Sequence, residues 1–478
     1  MTRALRATLA TVAWLGAAGC ASVQREYLAP ELEAPGAWTQ AAENVRVGDT
    51  EAIDAWWTVF NDSTLTSLIE RVASDNLDLR SALSRVREAR AQVGIARANR
   101  MPLVSTGFTP SASHTPTEAR GGGPAADFVQ ESFSLGADAS WEIDVFGERR
   151  AGVDVASASA TAEVLDLQDI LVSAAADTAS QYIRLRALQE RLDLTEQNIA
   201  LQADTLDIAT FRFQAGLTTE LDVYQARSNL ESTRTQAASL QLELAQTGNA
   251  LAVLLGRRPD AIDALLVAPE PIPAAPLQIT LGVPAEALRQ RPDIRGAERR
   301  LAAQAAQANV ARAQLYPSFS LVGSIGLETL NLARLLVPGA GLFRLSSSTT
   351  WSVFDRRQLR QNLEVQSERE EQASTQYEVA VLRAVQEVED ALASYAQEQV
   401  RGERLTAAVD AAQQAADLAA QRYNTGLRDF RDVLDAQRSL VSLQDQLAAS
   451  RANVSTAVVQ LYRALGGGWS VMPALPAP

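Results

Sequence analysis

The 478-residue chain is poor in the residue types from which most catalytic and metal sites are built. It has one cysteine and one histidine, and all of its Lys and Arg positions are arginine. A single cysteine excludes a disulfide within the chain and a zinc site made of paired Cys-x-x-Cys motifs. The histidine, His114, stands in a polar loop rich in Gly and Pro, where we expect it to be solvated. Because no phosphate-binding Gly loop and no Gly-x-Ser-x-Gly motif occurs, we predict neither enzymatic activity nor a cofactor.

Net charge and amino-acid composition limit the possible partners and the fold class of the protein. The formal net charge is −14, which argues against nucleic acid as a partner because phosphate binding needs a basic surface. Hydrophobic residues make up 47% of the chain but aromatic residues only 5%, and alanine is abundant. This composition favours long helices packed at short distance over a globular α/β core.

The first residues have the pattern of an export signal. Residues 1–19 combine two arginines with a short apolar run that cannot span a bilayer, so we predict a signal peptide. Small residues directly before Cys20 resemble a bacterial lipobox and predict a lipid on that cysteine; ordinary signal cleavage that leaves a free thiol is the alternative. Residues 20–52 are rich in Pro and Ala, which predicts an extended, lipid-anchored leader.

The rest of the chain contains the same pattern twice. We expect a first repeat at 53–256, a Pro-rich linker at 257–285, a second repeat at 286–466 and a tail at 467–478. Around the middle of each repeat, identical or similar residues recur at a constant offset of 210. The pairs are Arg212/Arg422, Phe213/Tyr423, Gly216/Gly426, Leu217/Leu427, Asp222/Asp432 and Val223/Val433.

Long helical patterns flank these recurring segments. In each repeat one periodic run precedes the glycine and another follows it, and glycine supplies the left-handed conformation that ends a helix. We therefore predict two helical hairpins with tips near residues 216 and 426. A single helix over 151–214 would be about 95 Å long, and its 3.5-residue apolar seam indicates coiled-coil packing.

Each repeat also has a stretch with strand periodicity. Apolar and polar residues alternate over 133–143, which predicts β-hairpins at about 103–145 and 318–354. Strands of about ten residues are long enough to cross a bilayer at a tilt. Trp141 and Trp351 stand at equivalent strand ends, where aromatic side chains mark a lipid–water boundary. Four strands cannot close a barrel and open edges are not tolerated in lipid, so several copies are needed.

Several short motifs occur in order along the chain. They are Trp56-Trp57-x-x-Phe60-x-Asp62, Trp141-x-x-Asp144-x-Phe146-Gly147, Leu255-Gly256-x-x-Pro259, Arg291-Pro-Asp-Ile294, Tyr316-Pro317, the run Arg422 to Leu440, and Leu461-Tyr-Arg-Ala-Leu-Gly-Gly-Gly-Trp469. Together with the duplication, they resemble the outer membrane factor family, which includes TolC-like and OprM-like exit ducts and the NodT-type lipoproteins. The resemblance implies an α+β membrane duct. In it, three duplicated chains contribute four strands each to a twelve-stranded outer membrane β-barrel, and their long coiled-coil helices form a periplasmic α-barrel.

The resemblance also implies partners and site residues. Such a homotrimer, anchored in the outer membrane and extending into the periplasm, conducts solutes passively from a periplasmic adaptor and an inner-membrane resistance-nodulation-division pump. Asp435 matches the family's acidic gate position near Asp432, while Arg431 replaces a residue that is often apolar. A solvated carboxylate on a helix face is the alternative for Asp435. The tips that adaptors contact would be Gly216, Leu217, Gly426 and Leu427, which are equally well explained as turn residues.

Two other functions remain open on the sequence. One is an outer membrane channel of type I protein secretion, which uses the same kind of duct. The other is a periplasmic coiled-coil lipoprotein that forms no pore.

Overall fold

The computed structural model describes residues 23–31, 35–39, 45–47, 55–114, 129–261, 268–276, 279–281 and 284–469. The predicted signal peptide, Cys20 and most of the predicted tail lie outside these ranges. Within them, no helix has a stretch that is long and apolar enough to cross a membrane. The chain divides into two compact units: the first comprises residues 1–30, 86–162 and 297–377, and the second comprises 31–85, 163–296 and 378–478.

The two halves of the chain contain matching elements. The first half has, in order, β1 (Val45–Val47), a 3-10 helix (Trp56–Phe60), α1 (Ser63–Asp75), α2 (Leu77–Ala98), β2 (Leu103–His114), β3 (Val129–Ile143), α3 (Glu148–Gln214) and α4 (Glu220–Leu254). The second half has β4 (Ile279–Leu281), α5 (Pro284–Gln290), α6 (Pro292–Ala313), β5 (Ser318–Thr329), β6 (Gly341–Thr350), α7 (Arg356–Asn424) and α8 (Phe430–Ala464). Short 3-10 helices also occur at Pro259–Ala261 and Leu332–Arg334.

The first unit contains an antiparallel sheet of four strands in the order β2-β3-β5-β6. At its centre two backbones come very close: a methyl group at Gly326 would lie 2.5 Å from the carbonyl oxygen of Leu135, so glycine is needed there. The predicted fold class is thus confirmed for one chain, with one hairpin per repeat. The last strand ends at Thr350, so Trp351 and Val353 lie just beyond it instead of within it.

The register of the sheet separates apolar from polar side chains. Because side chains alternate along a strand, residues that face each other across the ladder share one face. One face carries the rows Val104–Ala139–Gly323–Leu345, Thr106–Ala137–Ile325–Phe343 and Phe108–Leu135–Leu327–Gly341. The other carries Ser105–Asp138–Ser324–Arg344, and Ser111 and Ser132 share a hydrogen bond of 2.7 Å across the same face. The sheet is therefore apolar on one side and polar on the other.

The second unit holds the helical hairpins and the linker between the repeats. Helices α3 and α7 have 67 and 69 residues, and α4 and α8 have 35 each, so the two hairpins match in length. The linker is bonded to both repeats: Arg186 of α3 donates to the carbonyl of Ala268, and the Tyr395 hydroxyl of α7 donates to that of Pro276. Side chains thereby fix a Pro-rich segment that has no regular structure of its own over 268–276.

One contact in the second unit was not expected from the sequence. Strands β1 and β4 pair in parallel, which joins the predicted leader to the predicted linker. Each strand has three residues, too few to produce a recognisable alternation. The pairing therefore depends on tertiary contacts that no local pattern reveals.

A buried ionic cluster fixes the start of α6. Arg291 is almost fully buried and donates to Asp293, to Glu387 of α7 at 2.8 Å and to the carbonyl of Ala464 at the end of α8. Burial raises the pKa of the nearby Asp169 carboxyl to about 6; the negative charge of Asp293 adds to the rise, and the Arg291 guanidinium opposes it. Helices α6, α7 and α8 are thus joined through one guanidinium.

Candidate functional site

The two helical hairpins turn through the same backbone motif. Gly216 and Gly426 have φ of 73° and 77°, in the left-handed region. At the first turn the amide of Leu217 donates to the carbonyl of Arg212 at 2.9 Å, and at the second the amide of Leu427 donates to that of Arg422 at 2.8 Å. With the glycine amide bonded three residues back, this pattern is the Schellman motif. Both leucines are exposed, so each tip presents one apolar side chain.

An arginine and an apolar cluster hold the two hairpin tips together. Arg212, in the last turn of α3, donates to the carbonyls of Tyr423 and Asn424 at 3.1 and 3.2 Å and lies 4.5 Å from the Tyr423 ring centroid. A cation at a helix C-terminus is stabilised by the helix dipole and by the unpaired carbonyls. Behind it packs a buried cluster of Ala209, Val223, Ala226, Tyr423, Phe430, Val433 and Leu434. Arg212 was part of the recurring pattern, but its role depends on this contact and was not predicted.

The predicted gate residues lie on an exposed face at the start of α8. A carboxylate oxygen of Asp435 is 3.9 Å from Arg431 and its other oxygen is 3.8 Å from Arg438, one turn to either side. Asp432 pairs separately with Arg428 at 3.3 Å. All these side chains are solvent-exposed, so each pair contributes little to stability. Arg438 is a neighbour of Asp435 that the sequence motifs did not indicate.

The first hairpin has no aspartate flanked by two arginines at the equivalent place. Gln225 stands at the position equivalent to Asp435, and Leu221 at that of Arg431. Asp222, the counterpart of Asp432, accepts a hydrogen bond from the Thr218 hydroxyl instead of pairing with an arginine. Within the described ranges, no group of His, Cys, Asp and Glu side chains could hold a metal ion. The two tips therefore differ in charge pattern: the second has Asp435 between two arginines, and the first has the exposed Glu220 and the hydrogen-bonded Asp222.

The two tryptophans at the strand ends occupy equivalent positions in the first unit. The Trp141 indole donates to the carbonyl of Arg100 at 3.0 Å, and the Trp351 indole donates to that of Leu315 at 3.4 Å. Arg100 and Leu315 each lie three positions before the first strand of their hairpin. Both rings are exposed, and their place at a membrane–water boundary stays a prediction.

The leader docks beside the end of β3. The Gln24 side chain donates to the carbonyl of Gly147 at 2.7 Å, and it fills the space where a methyl group on Gly147 would stand. The φ of Gly147 is 83°, which also favours glycine. Further along, the backbone of Arg25 exchanges two hydrogen bonds with the Asn309 side chain. The segment just after Cys20 is therefore held in place, although Cys20 itself lies outside the described residues.

Comparison with known proteins decides the family. The model of a family described as "Outer membrane efflux protein" matches residues 68–257 and 283–467, which is most of the chain. The chain belongs to the outer membrane efflux protein family. This confirms the resemblance predicted from its motifs.

Individual relatives of this outer membrane efflux protein cover nearly the full length. The probable efflux pump outer membrane protein SepC of Pseudomonas putida is 31% identical over 96% of both chains. Nodulation protein T of Rhizobium leguminosarum bv. viciae is also 31% identical, over 95% of this chain and 92% of its own. The solved outer-membrane channel OprN is 32% identical with a TM-score of 0.88, covering 93% of this chain and 99% of its own.

The hairpin turns lead to a first prediction. Gly426→Ala places a Cβ in the left-handed region, which costs about 1–2 kcal/mol, so we expect a lower midpoint of unfolding by circular dichroism. Gly152→Ala is the matched control: this glycine lies inside α3 with negative φ and open space around it, so alanine should be neutral or stabilising. Equal loss of stability in both variants would contradict the role of the turn.

Proposed function

We propose that the protein is the outer membrane exit channel of a tripartite efflux system. As a trimer it would conduct drugs or other small solutes passively from a periplasmic adaptor and an inner-membrane pump of the resistance-nodulation-division class. The observation that carries this proposal is a two-faced sheet whose first and last strands, β2 and β6, each have one edge that no other strand of the described residues pairs with. In lipid such edges must be paired, and identical copies joined edge to edge would do so.

The distribution of side chains supports a membrane position for the sheet. Ile325, Phe343 and Leu345 are exposed on the apolar face of the single chain. Closure of three sheets into a barrel would turn this face to lipid and the face with Ser105, Asp138 and Arg344 to the lumen. A water-filled lumen then needs no further apolar packing in its interior.

The efflux function is tested by deletion of the gene in its host. We expect higher susceptibility to compounds that the host normally exports, restored by the wild-type gene, with an unchanged set of secreted proteins. Unchanged susceptibility together with a missing secreted protein would replace efflux by type I secretion. Failure of the purified protein to conduct in planar bilayers would leave only the coiled-coil lipoprotein without a pore.

We further propose that Cys20 carries a lipid anchor. Gln24 is the fourth residue after Cys20, a span of at most about 14 Å of extended chain. Gln24 is bonded to Gly147, four residues after the end of β3. Acyl chains on Cys20 could therefore reach the membrane boundary proposed for Trp141.

Lipidation has a direct chemical test. Wild-type protein from a Gram-negative host should incorporate labelled palmitate, and its N-terminal peptide should carry the mass of a diacylglycerol group on Cys20. Cys20→Ser should abolish the label, whereas Ser22→Ala, two residues along, should retain it. An unmodified thiol at Cys20 in the mature wild-type protein would leave ordinary signal cleavage as the explanation.

The exposed charges of α8 support a gate at the hairpin tips. In a trimer, three copies of Asp435 would form a ring of carboxylates that favours cations, with Asp432 nearby. Arg431 and Arg438 flank each Asp435, 3.9 and 3.8 Å from its carboxylate oxygens. The exposed Leu217 and Leu427, beside Gly216 and Gly426, would give a periplasmic adaptor apolar contacts at the same end of the hairpins.

Removal of one carboxylate per chain tests the gate. Asp435→Ala should raise the single-channel conductance in planar bilayers and reduce the preference for K⁺ over Cl⁻, because the carboxylate ring is lost. Asp410→Ala removes the same charge from the exposed surface of α7 and serves as the control, with conductance and selectivity expected to stay at the wild-type level. If Asp435→Ala behaves like the control, Asp435 is a solvated surface carboxylate.

A further inference from the structure

Within one chain, the two repeats meet along α3 and α8, which run antiparallel. Polar pairs mark this interface: Arg191 with Asp445 at 2.6 Å, Asn198 with Gln444 at 3.1 Å, and Thr205 with Gln437 at 3.0 Å. Each step along α3 towards its C-terminus corresponds to a step back along α8. At the end of this interface Arg212 reaches the last turn of α7.

The internal duplication repeats this interface with different partners. Adding 210 converts α3 into α7, and subtracting 210 converts α8 into α4. An interface between α7 and α4 would therefore be equivalent to the one between α3 and α8. Side chains that are exposed on α7 and α4 have buried counterparts on α3 and α8. The exposed fractions are 68% for Leu382 against 3% for Val172, 60% for Leu242 against 7% for Ala452, and 56% for Tyr224 against 3% for Leu434.

This correspondence indicates what covers the exposed side chains. The surfaces of α7 and α4 have the residue pattern of an interface whose equivalent is already buried inside the chain. Because α3 and α8 use their matching surfaces within the chain, α7 and α4 remain available for a second copy. Repetition from copy to copy gives a closed ring, as expected for a heterologous interface that closes.

At the tips, the correspondence singles out Arg422. It stands in the last turn of α7, where Arg212 stands in α3, but its guanidinium is exposed and has no hydrogen-bond or ion-pair partner in the described part of the chain. At the end of α3 the carbonyl of Phe213 accepts from the amide of Gly216, as that of Tyr423 accepts from Gly426 at the end of α7. Unlike Tyr423 and Asn424, however, Phe213 and Gln214 receive no donor from a side chain in the described part of the chain. The Phe213 ring is exposed, whereas its counterpart Tyr423 is buried beneath Arg212.

We infer that Arg422 of one copy caps the C-terminus of α3 in the next copy. Its guanidinium donates to the carbonyls of Phe213 and Gln214 of that copy and lies over the Phe213 ring, as Arg212 does within the chain. Favourable helix-dipole, hydrogen-bond and cation–π interactions all act at this one contact. The inference rests on the proposed trimer and adds to it the residues that join neighbouring tips.

Paired cysteines test the contact directly. In a Cys20→Ser background, Arg422→Cys is combined with Gln214→Cys, and the in-chain equivalent, Arg212→Cys with Asn424→Cys, is the matched control. After treatment with a short bismaleimide, we expect covalent dimers and trimers on a denaturing gel for the first pair. The control pair should be linked within the chain and migrate as a monomer. Each single-cysteine variant is treated in the same way and shows which covalent oligomers arise from the same position in two copies.

The oligomeric state distinguishes a failure of the Arg422 capping contact from a failure of the proposed trimer. Native mass spectrometry of the wild-type protein gives its oligomeric state independently. A trimer in which the control pair is linked but the Arg422→Cys, Gln214→Cys pair yields no covalent oligomer would overturn the capping contact and leave the channel intact. A monomeric wild-type protein would overturn both.

Substitution of Arg422 supplies a second readout. Arg422→Ala should make the trimer dissociate several-fold faster in detergent, and Arg422→Lys should fall between it and wild type, because lysine keeps the charge and the donors but not the planar stacking. Gln421→Ala, at the adjacent exposed position, should dissociate at the wild-type rate. Wild-type dissociation of Arg422→Ala would count against the contact.

Discussion

Backbone hydrogen bonding at the edges of a four-stranded sheet is the constraint from which the rest of this molecule follows. Every strand of the sheet has a partner, but among the strands that the structure describes β2 and β6 each have a neighbour on one side only. Water could satisfy those edges, whereas hydrocarbon could not. If the apolar face lies in lipid, the free edges of β2 and β6 therefore require further strands to pair with. The family to which the chain belongs is one of outer membrane proteins.

Duplication supplies two similar hairpins, yet the two tips differ in chemistry. The backbone is the same at both, since a left-handed glycine and a pair of amide–carbonyl bonds close each turn. The side chains in the next helical turn differ. Asp435 stands between two arginines, whereas Gln225 at the matching position has no arginine at the two equivalent places. Shared backbone geometry thus keeps the turns alike, and substitutions on the exposed face give the two tips different charge patterns.

Local patterns in the sequence were sufficient for elements and turns but not for contacts between them. Alternation over 133–143 gave the strand, and the glycines with their flanking periodic runs gave the hairpins, because both signals depend on neighbours along the chain. The β1–β4 pairing and the capping of α7 by Arg212 join residues that are more than 200 positions apart. The 210-residue offset made Arg212 visible as a recurring residue, but only the structure shows which carbonyls it reaches. The functions of Asp435, of the hairpin tips and of Cys20 stay predictions.

The hydrogen bonds of the linker between the repeats restrict its length. Carbonyls at Ala268, Pro273 and Pro276 accept hydrogen bonds from Arg186, Ser455 and Tyr395, so side chains of both repeats bind the linker backbone directly. An inserted or deleted residue between these acceptors would move at least one of them away from its donor. The length of this joint between the repeats is therefore fixed, and the linker can vary in sequence more freely than in the spacing of these three carbonyls.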